Sequence, residues 1–258
     1  MHGSAKKACT SEVVGNAERI LFLRECRAKT ACTLGILGYY LVGYFGLNRF
    51  PFETYHDVPS VPFFDDLPII PWTIVVYNSV FILGALGIWL LPDRERIRLY
   101  FVSVVLAYTV NYLFFAFLPT HIDRAPVPQE GSMWLWAVRL TRSIDGPYTC
   151  FPSLHITNCT VAVIGLWGSR YGWWFLAWTV AIALSTLTTD QHLFLDLPAG
   201  AAVACVGAVL ARRILRAIER RRAAGPLPGG PGLTDPGLAG PGSDASRAGG
   251  GSEPGLPR

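Results

Sequence analysis

The chain has 258 residues; 51% are apolar and only 16% are charged, against roughly 25% charged in an ordinary soluble domain. That balance argues against a soluble enzyme and for an integral membrane protein. The net charge of +4 is small, and no basic patch interleaved with aromatics occurs, which argues against a nucleic-acid partner.

Residues 1–30 are polar and basic, with Lys6, Lys7, Arg19, Arg24, Arg27 and Lys29. They lack the early apolar core of a cleaved signal peptide and read as a cytoplasmic N-terminal segment. Six apolar stretches follow, at about 31–48, 69–91, 99–118, 153–168, 171–189 and 193–211. Each is near the ~20 residues that cross the hydrocarbon layer, the fourth being short. The expected fold class is therefore all-α, an integral membrane bundle of six transmembrane helices over residues 31–218. A tight Ser169-Arg170 turn joins the fourth and fifth as a helical hairpin. Residues 219–258 are rich in Gly and Pro and are expected to be disordered, since such a composition buries no core.

Two connecting segments carry clustered aromatics: 49–68, with Phe50, Phe52, Tyr55, Phe63 and Phe64, and 131–142, with Trp134 and Trp136 beside Arg139 and Arg142. Both read as loops anchored at the interface, the alternative being that they flank a lipid entry path. Asn78, Asn111 and Asn158 lie within apolar stretches and read as interhelical hydrogen-bond links, with substrate contacts as the alternative. The cysteines at 9, 26, 32, 150, 159 and 205 show no CxxC pairing and read as free thiols.

Loop charges orient the bundle. With an even number of spans and a cytoplasmic N-terminus, the inner side carries sixteen Lys and Arg; the outer side carries four, Arg49, Arg124, Arg139 and Arg142. The expected location is the cell membrane, multi-pass, with His155, His192 and Arg124 on the extracytoplasmic side.

Ionisable groups at membrane depth are rare and mark function. Phe151-Pro152-Ser153-Leu154-His155 opens the fourth stretch, and His192 through Asp196 opens the sixth. A phosphoryl group needs donors around its oxygens, an in-line nucleophile and an acid for the leaving group. Arg124 offers a fork of donors. Ser153 offers a hydroxyl at a helix N-terminus, whose free N–H groups suit an anion. His192 and Asp196 are four apart and would be neighbours on one helix face. The carboxylate would fix the imidazole tautomer and leave the other nitrogen as a nucleophile. His155 is then available as general acid.

These motifs resemble the type 2 phosphatidic acid phosphatase superfamily, which also contains the vanadium haloperoxidases and carries KxxxxxxRP, PSGH and SRxxxxxHxxxD. Pro152-Ser153-Leu154-His155 matches the second motif. Ser185-Thr186, five residues, His192, three residues and Asp196 match the third, and Arg124-Ala125-Pro126 stands at the first. The resemblance covers roughly residues 70–211. It implies that His192 attacks phosphorus to form a phosphohistidine, that Asp196 orients it, that His155 protonates the leaving oxygen, and that Arg124 and Ser153 hold the phosphate oxygens. It implies a lipid phosphate or phospholipid substrate, a membrane setting, and neither metal nor cofactor.

The pattern also departs from the family. The family lysine falls on Phe117, the arginine of the third motif on Thr186, and the PSGH glycine on Leu154. His121, Arg139 and Arg142 are candidates to replace the missing cations. The nearer resemblance is to the branch containing inositol phosphorylceramide synthases, with sphingomyelin synthases as more distant relatives. The expected function is a lipid phosphate phosphatase; the alternative is a headgroup phosphotransferase that moves a phosphoryl-alcohol to a lipid acceptor. Two further readings are a metal site drawn from His121, Asp123, His155, Asp190, His192 and Asp196, and a non-catalytic phospholipid-binding protein.

Overall fold

The structure, a computed structural model, describes residues 2–223, with side chains from residue 23 onward. The expectation of disorder in the C-terminal tail lies, from 224 on, outside the described residues. The first helix, α1, runs without interruption over His2–Asn48. The expected boundary at residue 30 is therefore not a break. Residues 16–30 contain neither Gly nor Pro and are rich in Ala, Glu, Leu and Arg, so nothing stops the helix before the apolar stretch begins. Lys29 fastens this helix by donating to the carbonyls of Trp89 (3.0 Å) and Leu91 (2.9 Å).

The second apolar stretch is segmented. A 3₁₀ turn at Pro71–Thr73 leads into α2 (Ile74–Asn78) and then α3 (Val80–Trp89). Ser79 sits at the junction, its hydroxyl donating back to the Val76 carbonyl at 2.5 Å. Such back-bonding bends helices. Helix α4 (Arg94–Phe117) starts five residues earlier than the apolar run, because the Asp93 carboxylate caps it by accepting from the Arg96 N–H at 2.8 Å.

Residues 131–142, read as a loop, instead hold helix α5 (Met133–Ile144), capped by Ser132. Its Met133, Trp136, Leu140 and Ile144 are exposed, and Val138 is fully buried. Exposed apolar residues at spacings of three and four on one face, with a buried residue opposite, are the signature of a helix lying at an apolar boundary.

Helix α6 (Leu154–Leu166) and helix α7 (Gly172–Thr188) pack against each other as the expected hairpin. The turn is held by Ser169, whose hydroxyl donates to the Leu166 carbonyl and accepts from the Tyr171 N–H. Helix α8 (Asp196–Ala223) begins within the last apolar stretch and continues past residue 218. Small residues let it approach its neighbours. A Cβ on Gly200 would lie 2.4 Å from the Ser153 carbonyl oxygen before α6, and one on Gly207 would lie 2.9 Å from the Ser103 carbonyl oxygen of α4.

Three stretches, Leu23–Asn48, Pro71–Trp89 and Arg94–Phe117, are long and apolar enough to cross a membrane; α6 and α7 are apolar but shorter. The core joins α1, α3, α4, α6, α7 and α8, with Leu83, Val104, Phe115, Leu166 and Ile182 fully buried. Connections gather over the end where α6 and α8 begin. There β1 (His56–Asp57) pairs in parallel with β2 (Thr120–His121), His56 opposite Thr120. The Thr120 hydroxyl accepts from the N–H groups of Cys150 and Phe151, which ties the segment entering α6 to the segment leaving α4.

Candidate active site

Ser153 begins the site. Its side chain caps α6 by accepting from the Ile156 N–H at 3.4 Å, and its own N–H donates to the Asp196 carbonyl at 3.1 Å. Thr157 donates to both the Ser153 and Gly200 carbonyls, at 2.9 and 3.0 Å. The N-termini of α6 and α8 are thus locked side by side, and His155 follows in the first turn of α6.

His192 was expected on a helix face with Asp196. It lies instead in the turn that precedes α8. Pro198 has no N–H and its ring opposes a preceding helical carbonyl, so it belongs in a first turn; the helix accordingly begins at Asp196. The pair still forms: His192 Nδ1 lies 3.1 Å from Asp196 Oδ2, which also accepts from the Leu193 N–H at 3.0 Å. A carboxylate only accepts, so Nδ1 carries the proton and Nε2 bears the lone pair. That Nε2 lies 3.3 Å from Nδ1 of His155. All three side chains are buried, Asp196 wholly, and Asp196 Oδ1 has no partner among the described residues.

The relay continues away from the histidines. The Tyr77 ring packs 4.7 Å, centroid to centroid, from His155. Its hydroxyl donates to Asp145 Oδ2 at 2.7 Å, and Tyr44 donates to the other oxygen of that carboxylate. Arg124 donates to the carbonyls of Asp145 (2.6 Å) and Gly146 (3.2 Å), while its buried Nε has no partner among the described residues. Arg124 is therefore joined to the histidines through Asp145 and Tyr77, with part of its fork already committed to the backbone.

The candidates for replacing the missing cations are also engaged elsewhere. Arg142 donates to Asp190 Oδ2 (3.2 Å) and to the carbonyls of Ala125 (2.6 Å) and Thr189 (3.0 Å). Burial lowers the Arg142 pKa and raises that of Asp190, which also accepts from the Ala125 N–H. Arg139 binds the Pro128 carbonyl, and His121 pairs with Asp123 at 3.6 Å. Asp190 and Thr149 both adopt left-handed φ, +51° and +59°, turning the chain just ahead of His192 and of the 150–155 motif. Burial raises the Cys150 thiol well above its ordinary range, so it stays a neutral thiol; like the other described cysteines it forms no disulfide.

Of the six residues considered as a metal site, His155, His192 and Asp196 meet, whereas the other three are engaged elsewhere. Asp190 is taken by Arg142, and His121 pairs with Asp123. Among the described residues no group of three or more His, Cys, Asp or Glu is arranged to hold a metal ion.

One residue escaped the sequence reading. Gln191 is 1% exposed, and neither its Nε2 nor its Oε1 has a partner among the described residues. A buried unpaired amide is costly, of the order of 1–3 kcal/mol per group. Standing next to His192, it is an uncommitted donor beside the relay. Its position between a polar turn and a histidine was the only sequence signal.

The sequence pattern of the PAP2 superfamily matches residues 63–210, a stretch that contains every residue of the relay except Tyr44. Comparison with curated proteins and with solved structures gives no match. The chain belongs to the PAP2 superfamily, which includes phosphatases and phosphotransferases acting on phosphoesters.

Proposed function

We propose that the protein is a membrane-embedded lipid phosphate phosphatase that cleaves a phosphoester through a phosphohistidine on His192. The observation that carries this reading is the chain of contacts from Asp196 through His192 to His155. His192 Nε2 attacks phosphorus, forming an N–P bond as the P–O ester bond breaks. Asp196 holds the Nδ1 proton and balances the positive charge that develops on the ring. His155, as imidazolium, gives its Nδ1 proton to the leaving alkoxide. Neutral His155 then takes a proton from the incoming acceptor, which displaces phosphate from His192. The Ser153 hydroxyl, the first amides of α6, Arg124 Nε and Gln191 supply donors for the phosphate oxygens. The scheme requires no cofactor or metal.

In this reading α1, α2 with α3, α4, α6, α7 and α8 make six crossings of the cell membrane, and α5 lies in the interface. Helix α6, with thirteen residues, is about 20 Å long, short of the ~30 Å hydrocarbon layer. Its histidine end would therefore sit below the headgroups, where a lipid phosphoester can meet it. Sixteen basic residues against four support an extracytoplasmic site.

A second reading, headgroup transfer in the manner of the inositol phosphorylceramide synthase-like branch, is favoured by Phe151-Pro152-Ser153-Leu154-His155 and by the apolar groove on which His155 opens. Purified protein offered lipid phosphates and phosphodiesters, with and without ceramide or diacylglycerol, separates the readings. Release of inorganic phosphate is the expected result. A new phospholipid would select transfer, and binding without turnover would select a non-catalytic lipid-binding role.

A further inference from the structure

A groove of about 240 Å³ lies between α1, α3, α4 and α6, with His155 at its lining. Leu37 of α1 and Phe81 of α3 line it and are exposed, so it is open on the side that would face lipid chains. Along α3 it extends from Val80 to Ile88, about 12 Å at 1.5 Å per residue. Its walls are mainly apolar, but Asn158 of α6 also lines it, half-buried.

The Asn158 amide is only partly used. Its oxygen accepts from the Tyr108 hydroxyl at 3.1 Å. Its nitrogen carries two N–H bonds, and its partner among the described residues is the Val80 carbonyl at 3.5 Å, at the limit of a hydrogen bond. The opposite wall is shaped to admit this amide: a Cβ on Gly84 would lie 2.5 Å from Asn158 Nδ2. Asn158 follows His155 by three residues, so the two share a helix face and Asn158 sits about 4.5 Å further along the axis.

We propose that Asn158 donates a hydrogen bond to an acyl carbonyl of the bound lipid, with the phosphate at the histidines and one chain in this groove, and so sets a preference for acyl-linked over alkyl-linked or polyprenyl chains. The inference rests on the phosphoryl-transfer reading for the placement of the phosphate. In a diacylglycerol or ceramide phosphate a carbonyl stands a few bonds beyond the phosphoester oxygen. In a polyprenyl phosphate that position is hydrocarbon, which would leave the amide of Asn158 without a partner. The spare N–H is a donor, so it selects for the carbonyl and not merely for a lipid of the right length.

The test is equilibrium competition binding to the full-length protein in detergent, read by native mass spectrometry, with phosphate release followed in parallel. The probes are diacylglycerol phosphate, ceramide phosphate, the dialkylglycerol phosphate that lacks only the carbonyls, and a polyprenyl phosphate of similar carbon number. The expected result is retention of one or both acyl lipids over the dialkyl lipid by about three- to tenfold, the scale of one neutral hydrogen bond. Asn158→Leu should reduce that ratio to near one. Gly84→Ala, which crowds the amide from the opposite wall, should do the same without altering Asn158. Equal retention of acyl and dialkyl lipids, or a ratio unchanged in both variants, would overturn the inference. Normal phosphate release without a carbonyl preference would sink this inference alone. A carbonyl preference without any turnover would support it while removing the catalytic reading.

Discussion

His192 Nε2 and His155 Nδ1 stand 3.3 Å apart although the residues are 37 positions apart in sequence. The nitrogen assigned to attack is thus covered, at rest, by the group assigned to protonate the leaving oxygen. No phosphoryl group fits in a 3.3 Å gap, so the proposed mechanism requires the rings to part when substrate enters. The same motion would turn the His155 Nδ1–H from the nucleophile toward the ester oxygen.

His192→Ala should abolish turnover with little loss of fold. Asp196→Asn should lower kcat by roughly a hundredfold or more, about 3 kcal/mol at 1.36 kcal/mol per tenfold, because an amide cannot balance the imidazolium charge. Steady-state phosphate release measures both. Near-normal kcat in either variant would contradict the assigned roles.

Gln191→Leu separates a ligand-binding amide from a structural one. It removes two buried groups that have no partner among the described residues, and replacing such a group by an apolar one is neutral or stabilising. The midpoint of thermal unfolding should therefore hold or rise while kcat/KM falls about tenfold. A drop in both would assign Gln191 to the fold.

Arg142→Ala should behave in the opposite way. It leaves Asp190 half-buried without its cation and releases the Ala125 and Thr189 carbonyls. A loss of about 3 kcal/mol is expected, at the low end for breaking a buried ion pair, discounted for partial solvent screening. Activity should fall with the folded fraction, which unfolding curves paired with activity per folded molecule will show. A selective rise in KM at unchanged stability would make Arg142 a substrate cation instead.

Gly200→Ala tests the seam between α6 and α8. The added methyl would meet the Ser153 carbonyl oxygen at 2.4 Å, a backbone atom that cannot swing away. Overpacking of this kind costs about 1–3 kcal/mol, and here it also separates His155 from His192. Both the unfolding midpoint and kcat should fall, and a variant with wild-type values would show that the seam is looser than described.

Membrane orientation is open to direct labelling. A cysteine placed in the 125–131 segment should react with an impermeant thiol reagent on intact cells. Reaction only after lysis would put the histidine end in the cytoplasm.

The histidines and Asp196 were legible because an ionisable group in an apolar run has few structural explanations, and a four-residue spacing limits where its partner can be. The exact backbone was less legible. His192 reaches Asp196 through a turn set by Pro198, a detail that the spacing alone left open. The positions of the arginines were not legible: Arg124 and Arg142 bind carbonyls supplied by distant segments, and a backbone carbonyl has no sequence signature. Helix α5 was misread as a loop because its tryptophans and arginines suit an interface either way, although Met133, Trp136, Leu140 and Ile144 already carried a helical period. Neither the burial of Gln191 nor the groove beside Asn158 could be read at all, since both arise from packing between separate helices.

The central claim is that His192 carries the phosphoryl group. Full-length protein mixed with a diacylglycerol phosphate labelled at phosphorus, quenched in alkali within one turnover and mapped by peptide, tests it directly. The account predicts an alkali-stable, acid-labile label on His192, accumulating faster than phosphate is released and missing from His192→Ala. Label on a different residue, or full turnover by His192→Ala, would contradict it.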